Sequence, residues 1–368
     1  METRHLVYLN ALNHIALYPK KFFSLLKLFN NNPYLLWNAP VSQLIKYNIS
    51  SKTLENFTHV RQRISPEEEF EKLLNHGITV IPHPAFNDNT LYPELLTHIW
   101  DPPPVLYAKG NISLLNHHQA IAVVGSRKIS EYGRKITEKI AHLLAINNIL
   151  VISGLAVGVD CIAHQSALQA KKPTIAVLAH GLDIVYPKSN TKIVQQILSL
   201  EGTIISEFPL GTPPLKQYFP QRNRIISGIS SATIITEAAL KSGSLITAYH
   251  ALQQNRDIFA VPGEIFSPMS AGTNYLIAQG ATPIISIQNL LEILNLPNIP
   301  TCDTKEEISF TNNLHRNIYK SLSTRKTLFI DDLFKKINAP AQEINSALTV
   351  LELQGLVRNV GGGQYIRN

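Results

Sequence analysis

The sequence is poor in cysteine and in long hydrophobic runs. Its 368 residues include two cysteines, Cys161 and Cys302, which cannot form a disulfide framework and lack the spacing of metal ligands. No apolar run approaches the roughly 20 residues of a membrane-spanning helix. The first residues do not form a basic segment followed by an apolar core, so we expect no signal peptide. These absences favour a cytoplasmic protein in a reducing compartment, with no bound metal and no membrane association.

Two nucleotide-binding motifs are also missing. The dinucleotide fingerprint G-x-G-x-x-G does not occur, so the sequence does not support a nicotinamide or flavin cofactor. The motif G-x-x-x-x-G-K-[ST] does not occur either, which argues against a P-loop ATPase. We therefore expect the protein to work without a cofactor.

The chain does contain ample apolar material and an uneven distribution of charge. Hydrophobic residues make up 45% and charged residues 16%, which is enough apolar content for a sizeable core. The net charge of +7 is the sum of five blocks: +6 over residues 1–65, −5 over 66–120, +5 over 121–285, −3 over 286–308 and +4 over 309–368. Alternating blocks indicate modules, and a basic module favours a polyanionic partner.

The hydrophobic patterns predict three domains. Residues 1–65 show short helical periodicities and predict a small helical domain. Between residues 105 and 285, short apolar runs alternate with helical patterns, which is typical of a doubly wound, mostly parallel sheet with helices on both faces. With the residues before it, this α/β domain spans 66–288, and 289–308 form a linker. Residues 309–368 predict three helices and a hairpin, the arrangement of a winged helix.

Small and basic residues follow several of the predicted strands. In an open parallel sheet, ligands bind beyond the carboxyl ends of the strands. Glycine lets a ligand approach the backbone, exposed amides attract anions, and arginine or lysine adds fixed positive charge. The candidate residues are Gly125, Ser126, Arg127, Ser153, Gly154, Lys188, Arg222, Asn223, Arg224, Gly243 and Ser244. This set suits a sugar-phosphate backbone that crosses several sites better than it suits one phosphate.

Four other residues allow more than one interpretation. Phe219 is a candidate for stacking on an unpaired base, and packing in the core is the alternative. Asp160 and His164 lie four residues apart on one helix face, as a metal pair or a carboxylate–imidazole couple would, but a third partner is missing and a structural role is favoured. Glu237 is either a base, a helix cap, or the partner of an arginine such as Arg222.

The α/β core resembles the DNA-processing protein A family (DprA, also called Smf). The resemblance covers about residues 105–285 and, more loosely, the flanking modules. It depends on many short motifs that occur in order: Val123-Val124-Gly125-Ser126-Arg127, Ser153-Gly154-Leu155-Ala156 with Gly158-Val159-Asp160, Gly181-Leu182-Asp183 with Tyr186-Pro187, Phe219-Pro220 with Arg222-Asn223-Arg224, Glu237-Ala238 with Ser242-Gly243-Ser244, and Val261-Pro262-Gly263.

This resemblance implies a fold and a function. The fold is an extended Rossmann-like domain between an N-terminal domain like a sterile alpha motif (SAM-like) and a C-terminal winged helix. The function is to bind and protect incoming single-stranded DNA and to load the RecA recombinase during competence, natural transformation and homologous recombination, as a homodimer and without enzymatic activity. Arg127 matches a phosphate-contacting arginine of the family, Lys188 matches a contacting lysine, and Arg222 and Arg224 match residues that line the pocket.

Two departures and two alternatives accompany the resemblance. Residues 13–17 lack the Gly-x-Gly hairpin of relatives, and residues 82–93 are longer than the usual connection. One alternative is a Rossmann-type nucleotide-phosphate hydrolase, although its Pro-Gly-Gly-x-Gly-Thr-x-x-Glu motif is absent. Its candidate catalytic residues are Asp160, His164, Glu207 and Glu237. The other alternative is a regulator that binds duplex DNA through the winged helix.

Overall fold

The computed structural model describes residues 3–47, 49–87, 91–117, 119–296, 310, 312–323, 327–337 and 339–367. Its contacts divide the chain into two compact units, Met1–Leu296 and Pro297–Asn368. The domain boundaries expected at residues 65 and 288 stay predictions. Within the expected linker of residues 289–308, residues 289–293 belong to a helix, and residues 297–308 lie outside the described part of the chain.

A nine-stranded sheet forms the centre of the described part of the first unit. Its strands are β1 (Thr79–Pro82), β2 (Val105–Gly110), β3 (Ala120–Val124), β4 (Leu150–Ser153), β5 (Thr174–Leu178), β6 (Thr203–Ser206), β7 (Ala232–Ile235), β8 (Asp257–Ala260) and β9 (Thr282–Pro283). Their order is β1-β2-β6-β5-β4-β3-β7-β8-β9. The strands from β6 to β9 in this order are parallel, and β1 and β2 are antiparallel additions at one edge.

Helices cover both faces of this sheet, as the apolar strand runs predict. The helices of the first unit are α1 (Thr3–Asn13), α2 (Pro19–Leu28), α3 (Pro33–Asn38), α4 (Val41–Lys46), α5 (Ser51–Arg63), α6 (Pro66–Asn75), α7 (Glu94–Thr97), α8 (Glu131–Ile146), α9 (Val159–Gln169), α10 (Thr191–Ser199), α11 (Tyr218–Gly228), α12 (Ser244–Gln253), α13 (Ala271–Ala278) and α14 (Ile287–Ile293). The predicted doubly wound, mostly parallel α/β fold is therefore confirmed.

Successive residues of each strand alternate between two cores. On one face, Val177 and Ile205 pack with α7, α11 and α12. On the opposite face, Ala176 and Ile204 pack with α10 and the N-terminal helices, and Val151 packs with α8 and α9. Because both faces are buried, the strands contain continuous apolar runs instead of alternating polar residues.

The N-terminal helices join the sheet at its antiparallel edge. Their buried side chains, including Leu12 and Phe22, belong to the same hydrophobic cluster as Val105 of β2. Polar contacts reinforce this packing: the Tyr107 hydroxyl donates to Asn10 at 2.8 Å, and the Asn13 amide donates to the backbone oxygen of Glu207 at 2.9 Å. These helices therefore form one continuous core with the sheet.

The second unit has the winged-helix arrangement that the sequence predicts. Its helices are α15 (Asn313–Ser321), α16 (Ile330–Lys336) and α17 (Ala341–Leu353), and its strands are β10 (Leu328–Phe329), β11 (Val357–Gly361) and β12 (Gln364–Arg367). Leu333 and Leu348 lie in its core. Within the described residues, no helix is long and apolar enough to cross a membrane.

Candidate nucleic-acid interface

The loops that follow β3 and β7 meet where the strand order reverses, which is the usual ligand position in such sheets. The amide of Ser126 donates to the backbone oxygen of Glu237 at 2.7 Å. The carboxylate of Glu237 accepts from the Ser130 amide at 2.8 Å, at the first turn of α8. A side chain at Gly125 would lie 2.5 Å from Val159, so only glycine fits here. Glu237 thus caps a helix, which is one of the roles that the sequence allowed.

Arg127 is exposed in the loop that follows β3. Its guanidinium carbon lies 5.2 Å from the centre of the Phe219 ring, a cation–aromatic distance. The half-exposed ring of Tyr186 lies 5.9 Å from the same ring, and Lys188, two residues further on, is exposed. Among the described residues, neither cation forms an ion pair. Arg127, Phe219 and Tyr186, from three separate chain segments, therefore line one surface, with Lys188 two residues beyond Tyr186. We call this surface the crevice.

Arg222 is buried and holds two strand ends together. It is 3% exposed, and its guanidinium donates to the backbone oxygens of Gly154 and Val177, which belong to the ends of β4 and β5. Burial lowers the pKa of Arg222 to about 10, and the nearby carboxylate of Asp160 opposes that shift. A side chain at Gly154 would lie 2.5 Å from this guanidinium. Arg222 therefore shapes the floor of the crevice from inside.

Arg224 is also buried, and it is paired with two carboxylates. Its guanidinium lies 2.8 Å from Asp101 and 2.6 Å from Glu207. Burial alone lowers the pKa of Arg224, but the two carboxylates more than offset this and hold its pKa above the ordinary value. The pairs connect α11 to the end of β6 and to the loop before β2.

Asp160 and His164 occupy separate environments. The carboxylate of Asp160 accepts from the amides of Gly154 and Ala156 at 3.2 and 3.4 Å, so the loop amides that we expected to hold an anion already have a partner. Burial raises the pKa of Asp160, and Arg222 opposes this. His164 is fully buried and bonds the Thr174 hydroxyl at 2.8 Å. Burial lowers its pKa to about 3, which keeps the imidazole neutral.

The remaining predicted residues shape the loops. The hydroxyl of Ser126 donates to the backbone of Lys128, that of Ser153 to the backbone of Val123, and that of Ser244 pairs with Ser242. All three serines are buried. The side chain of Asn223 donates to the backbone oxygen of the exposed Gly243 at 3.2 Å.

Of the twelve predicted residues, the structure leaves Arg127, Lys188 and Gly243 exposed and Gly125, Phe219 and Asn223 half-buried. Sequence reasoning missed Tyr186, although an aromatic residue two positions before a lysine in a strand-end loop is a usable signal. Its ring belongs to the exposed surface beside Phe219. Within the described residues, no group of three or more His, Cys, Asp or Glu side chains has the arrangement of a metal site.

Known proteins share both parts of the chain. The family described as DNA recombination-mediator protein A matches residues 84–295, and the DprA winged helix domain matches residues 309–363. Protein Smf of Escherichia coli is 37% identical over 290 residues, which cover 76% of each chain. DNA processing protein DprA of Bacillus subtilis is 36% identical over 283 residues, which cover 75% of this chain and 91% of the relative.

Two solved structures agree with this likeness. The crystal structure of DNA processing protein A from Streptococcus pneumoniae superimposes with a TM-score of 0.66 at 34% identity and covers 78% of this chain and 97% of its own. The Helicobacter pylori protein, described by its single-stranded DNA binding mode, gives a TM-score of 0.53 at 33% identity and covers 59% of this chain and 95% of its own. The chain described here belongs to the DNA-processing protein A family, DprA or Smf.

Proposed function

We propose that this protein binds single-stranded DNA in the crevice between Arg127, Lys188, Tyr186 and Phe219, protects incoming strands, and loads RecA during natural transformation and homologous recombination. The observation that carries the proposal is the pair of exposed cations without carboxylate partners among the described residues, beside two accessible aromatic rings. Membership of the family, and the single-stranded DNA binding described for the Helicobacter pylori relative, support it.

The chemistry of these groups suits an unpaired strand. Arginine and lysine neutralise phosphates, which gives affinity without sequence preference and makes binding salt-dependent. Aromatic rings stack on any base that is not already paired, at about 1–3 kcal/mol per base. A duplex offers no free base face to Phe219 or Tyr186, so we expect a preference for single strands.

In this proposal, Arg222 and Arg224 mainly support the crevice as buried structural residues. Both are at most 5% exposed, Arg222 donates to two backbone oxygens, and Arg224 donates to two carboxylates. They fix the positions of α11 and the strand-end loops, and so the position of Phe219. Direct phosphate contact by either guanidinium stays a prediction, since both side chains are buried.

Fluorescence anisotropy with labelled oligothymidine and a matched duplex tests the proposal. Arg127→Ala and Lys188→Ala should each weaken single-strand binding and reduce the slope of log affinity against log salt by about 0.7, the value for one phosphate contact on a single strand. Lys171→Ala is the control, because Lys171 is an exposed lysine in the turn before β5, at the amino ends of the parallel strands and so opposite the crevice. Equal effects of all three variants, or a preference for duplex, would contradict the proposal.

We also propose that the protein acts as a homodimer. Several large apolar side chains are exposed near β8 and β9, including Phe266 at 92% and Ile265 at 80%, with Leu252 on α12. A second copy of the chain would cover them. Light scattering should show a dimer for the wild type and a monomer for a Leu252→Glu, Phe266→Glu double variant. A dimer that persists in the double variant would place the interface elsewhere.

RecA loading has its own measurement. DNA-dependent ATP hydrolysis by RecA on strands covered with single-strand-binding protein should rise when the wild-type protein is added. Arg127→Ala should lose this stimulation, because the mediator must hold the strand that RecA receives. Stimulation that survives loss of DNA binding would refute the mediator mechanism.

The two alternatives find less support in the structure. Along α17, the helix that a winged helix places in the major groove, the sequence has Glu343 and Glu352 and neither lysine nor arginine. Such a helix repels phosphate, which disfavours a duplex-DNA regulator. For the hydrolase, Asp160, Glu207 and Glu237 already accept hydrogen bonds from loop amides, an arginine and a serine. Release of a base from a nucleoside monophosphate that Glu237→Gln abolishes would revive that reading.

A further inference from the structure

A second group of aromatic and basic side chains lies at the same edge of the sheet, outside the crevice. Trp100 is 75% exposed, and the Lys20 amino group lies 2.9 Å from the centre of one of its ring systems. Tyr18, two residues before Lys20, is 77% exposed. An exposed tryptophan is costly to leave in water, and one covered on one side by a cation retains a second face for stacking.

The topology connects this group to the crevice. Because β2 runs antiparallel to β6, with Tyr107 opposite Ser206, the loop before β2 lies at the carboxyl edge of the parallel strands. The ion pair from Asp101 to Arg224 and the bond from Asn13 to the Glu207 backbone attach this loop and the turn after α1 to the same edge. Arg127 follows the end of β3, Lys188 follows the end of β5, and Trp100 precedes β2. All three therefore lie at the carboxyl ends of the parallel strands.

The spacing matches a continuous strand. Trp100 precedes β2, which lies four strand steps from β3, where Arg127 follows, and two steps from β5, where Lys188 follows; at about 4.8 Å a step these distances are roughly 20 Å and roughly 10 Å along the strand ends. At the 3.4 Å rise of stacked nucleotides, a strand that runs from Arg127 past Lys188 to Trp100 covers about six nucleotides. This lies within the span of about 4–16 nucleotides that single-strand-binding folds cover.

The charge of the N-terminal segment favours a polyanionic partner. Residues 3–54 contain Arg4, Lys20, Lys21, Lys27, Lys46 and Lys52 and no aspartate or glutamate. On α2, Lys20 and Lys27 are exposed and seven residues apart, which places them on one helix face. Within the described chain, neither lysine pairs with a carboxylate.

We propose that Trp100, with Tyr18, Lys20 and Lys27, forms a second single-strand subsite that takes the nucleotides leaving the crevice. This inference follows from three features that lie together at the carboxyl ends of the strands: an exposed tryptophan, a lysine on its ring face, and a helical segment without acidic residues. The inference rests on the proposed function. Bases stack on Trp100 and Tyr18, and phosphates lie along the exposed face of α2. The N-terminal helices thereby take part in binding although residues 13–17 lack a Gly-x-Gly hairpin.

Oligonucleotide length separates the two sites. Anisotropy is measured on the full chain with oligothymidines of about 4 and about 16 nucleotides, chosen from the range of single-strand site sizes. Trp100→Ala should weaken binding of the long strand by about 5- to 150-fold, the range for one stacked base. The double change Lys20→Gln, Lys27→Gln should also weaken it and should lower the slope of log affinity against log salt by about 1.4, the value for two phosphate contacts. Binding of the short strand should change by less than about twofold, since it fills the crevice alone.

Three controls make the outcome decisive. Trp100→Phe keeps an aromatic face and should retain most of the affinity for the long strand. Lys171→Gln removes an exposed lysine at the amino ends of the parallel strands and should have no effect. Arg127→Ala should weaken binding of both the short and the long strand. Thermal unfolding should be unchanged for Trp100→Ala, because the side chain is largely exposed. The buried Trp37 is the second of two tryptophans, so quenching of the red-shifted emission on addition of the long strand reports Trp100.

Each failure has a separate meaning. If Arg127→Ala weakens binding but the Trp100 and lysine variants bind the long strand like wild type, or reduce both lengths equally, the second subsite does not exist. Absence of tryptophan quenching by the long strand leads to the same conclusion. If neither length binds the wild type, the proposed function itself fails and this inference falls with it.

Discussion

Replacement of Arg224 by alanine should destabilise the fold, and the size of the loss in unfolding free energy follows from the buried ion pairs. The Arg224 side chain is 6% exposed, and those of Glu207 and Asp101 are 13% and 33% exposed. Removal of the arginine leaves the carboxylate of Glu207 almost buried without its partner. Loss of one partner of a buried pair costs about 3–5 kcal/mol, because the remaining charge is not solvated. The more exposed Asp101 can turn to water and adds little.

Urea unfolding followed by circular dichroism at equilibrium measures this loss. With a slope of about 3 kcal/mol per molar urea for a unit of this size, the midpoint of Arg224→Ala should fall by about 1–2 M. Arg127→Ala is the matched control, because Arg127 is exposed and its removal should change the unfolding free energy by less than about 0.5 kcal/mol. Glu207→Gln should recover part of the stability when combined with Arg224→Ala. A midpoint for Arg224→Ala that equals that of Arg127→Ala would refute the structural role of the buried pairs.

Two further predictions concern Gly158, in the loop after β4, and His164, on α9. Gly158 has a φ of 84°, and an added Cβ would lie 2.3 Å from the Ser126 backbone oxygen, whereas a Cβ at Gly243 meets nothing within 4 Å. Gly158→Ala should therefore lower the unfolding free energy by more than about 1 kcal/mol and Gly243→Ala by less than about 0.5 kcal/mol, and equal urea midpoints would count against this geometry. Because burial lowers the pKa of His164 to about 3, only the unfolded chain takes up this proton as the pH falls below about 6.5. This proton should lower the stability by up to about 1.4 kcal/mol per pH unit, so His164→Gln should reduce the pH dependence of urea midpoints measured between pH 7.5 and 5.5. Part of the slope should remain, because burial also lowers the pKa of His83 to about 4. An unaltered pH slope would show that His164 does not contribute.

The sequence was sufficient for the class of fold. Runs such as Ile121–Val124 are apolar on both sides and too short for helices, and only a sheet covered on both faces buries them completely. The pairing of β1 and β2 with β6 could not be predicted, because an antiparallel addition depends on contacts between distant segments. Tyr107 and Ser206, for example, are opposite each other across the sheet and 99 positions apart in sequence.

The sequence predicted where the candidate site lies better than it predicted the role of each residue there. The loops after β3, β4 and β5 do converge, since the strand-end rule depends only on topology. The environment of each charge depends on partners that the local sequence does not reveal. Asp101, which pairs with Arg224, lies 123 residues earlier in the chain. Arg222 donates to the backbone oxygens of Gly154 and Val177 and lies near the carboxylate of Asp160, all of them distant in sequence. The exposed Arg127 and the buried Arg222 and Arg224 therefore look alike in sequence.

The union of the N-terminal helices with the sheet has a consequence for how this segment can be studied or exchanged. Leu12, Phe22 and Val105 share one core, and Asn10 and Asn13 bond Tyr107. A shortened chain that starts near residue 66 would expose an apolar face of β2 and leave the Tyr107 hydroxyl without its partners. A defect in such a truncation reports damage to the sheet, so the contribution of these helices to DNA binding has to be measured with surface substitutions. An exchange of the N-terminal helices between relatives would likewise have to keep Tyr107 together with Asn10 and Asn13.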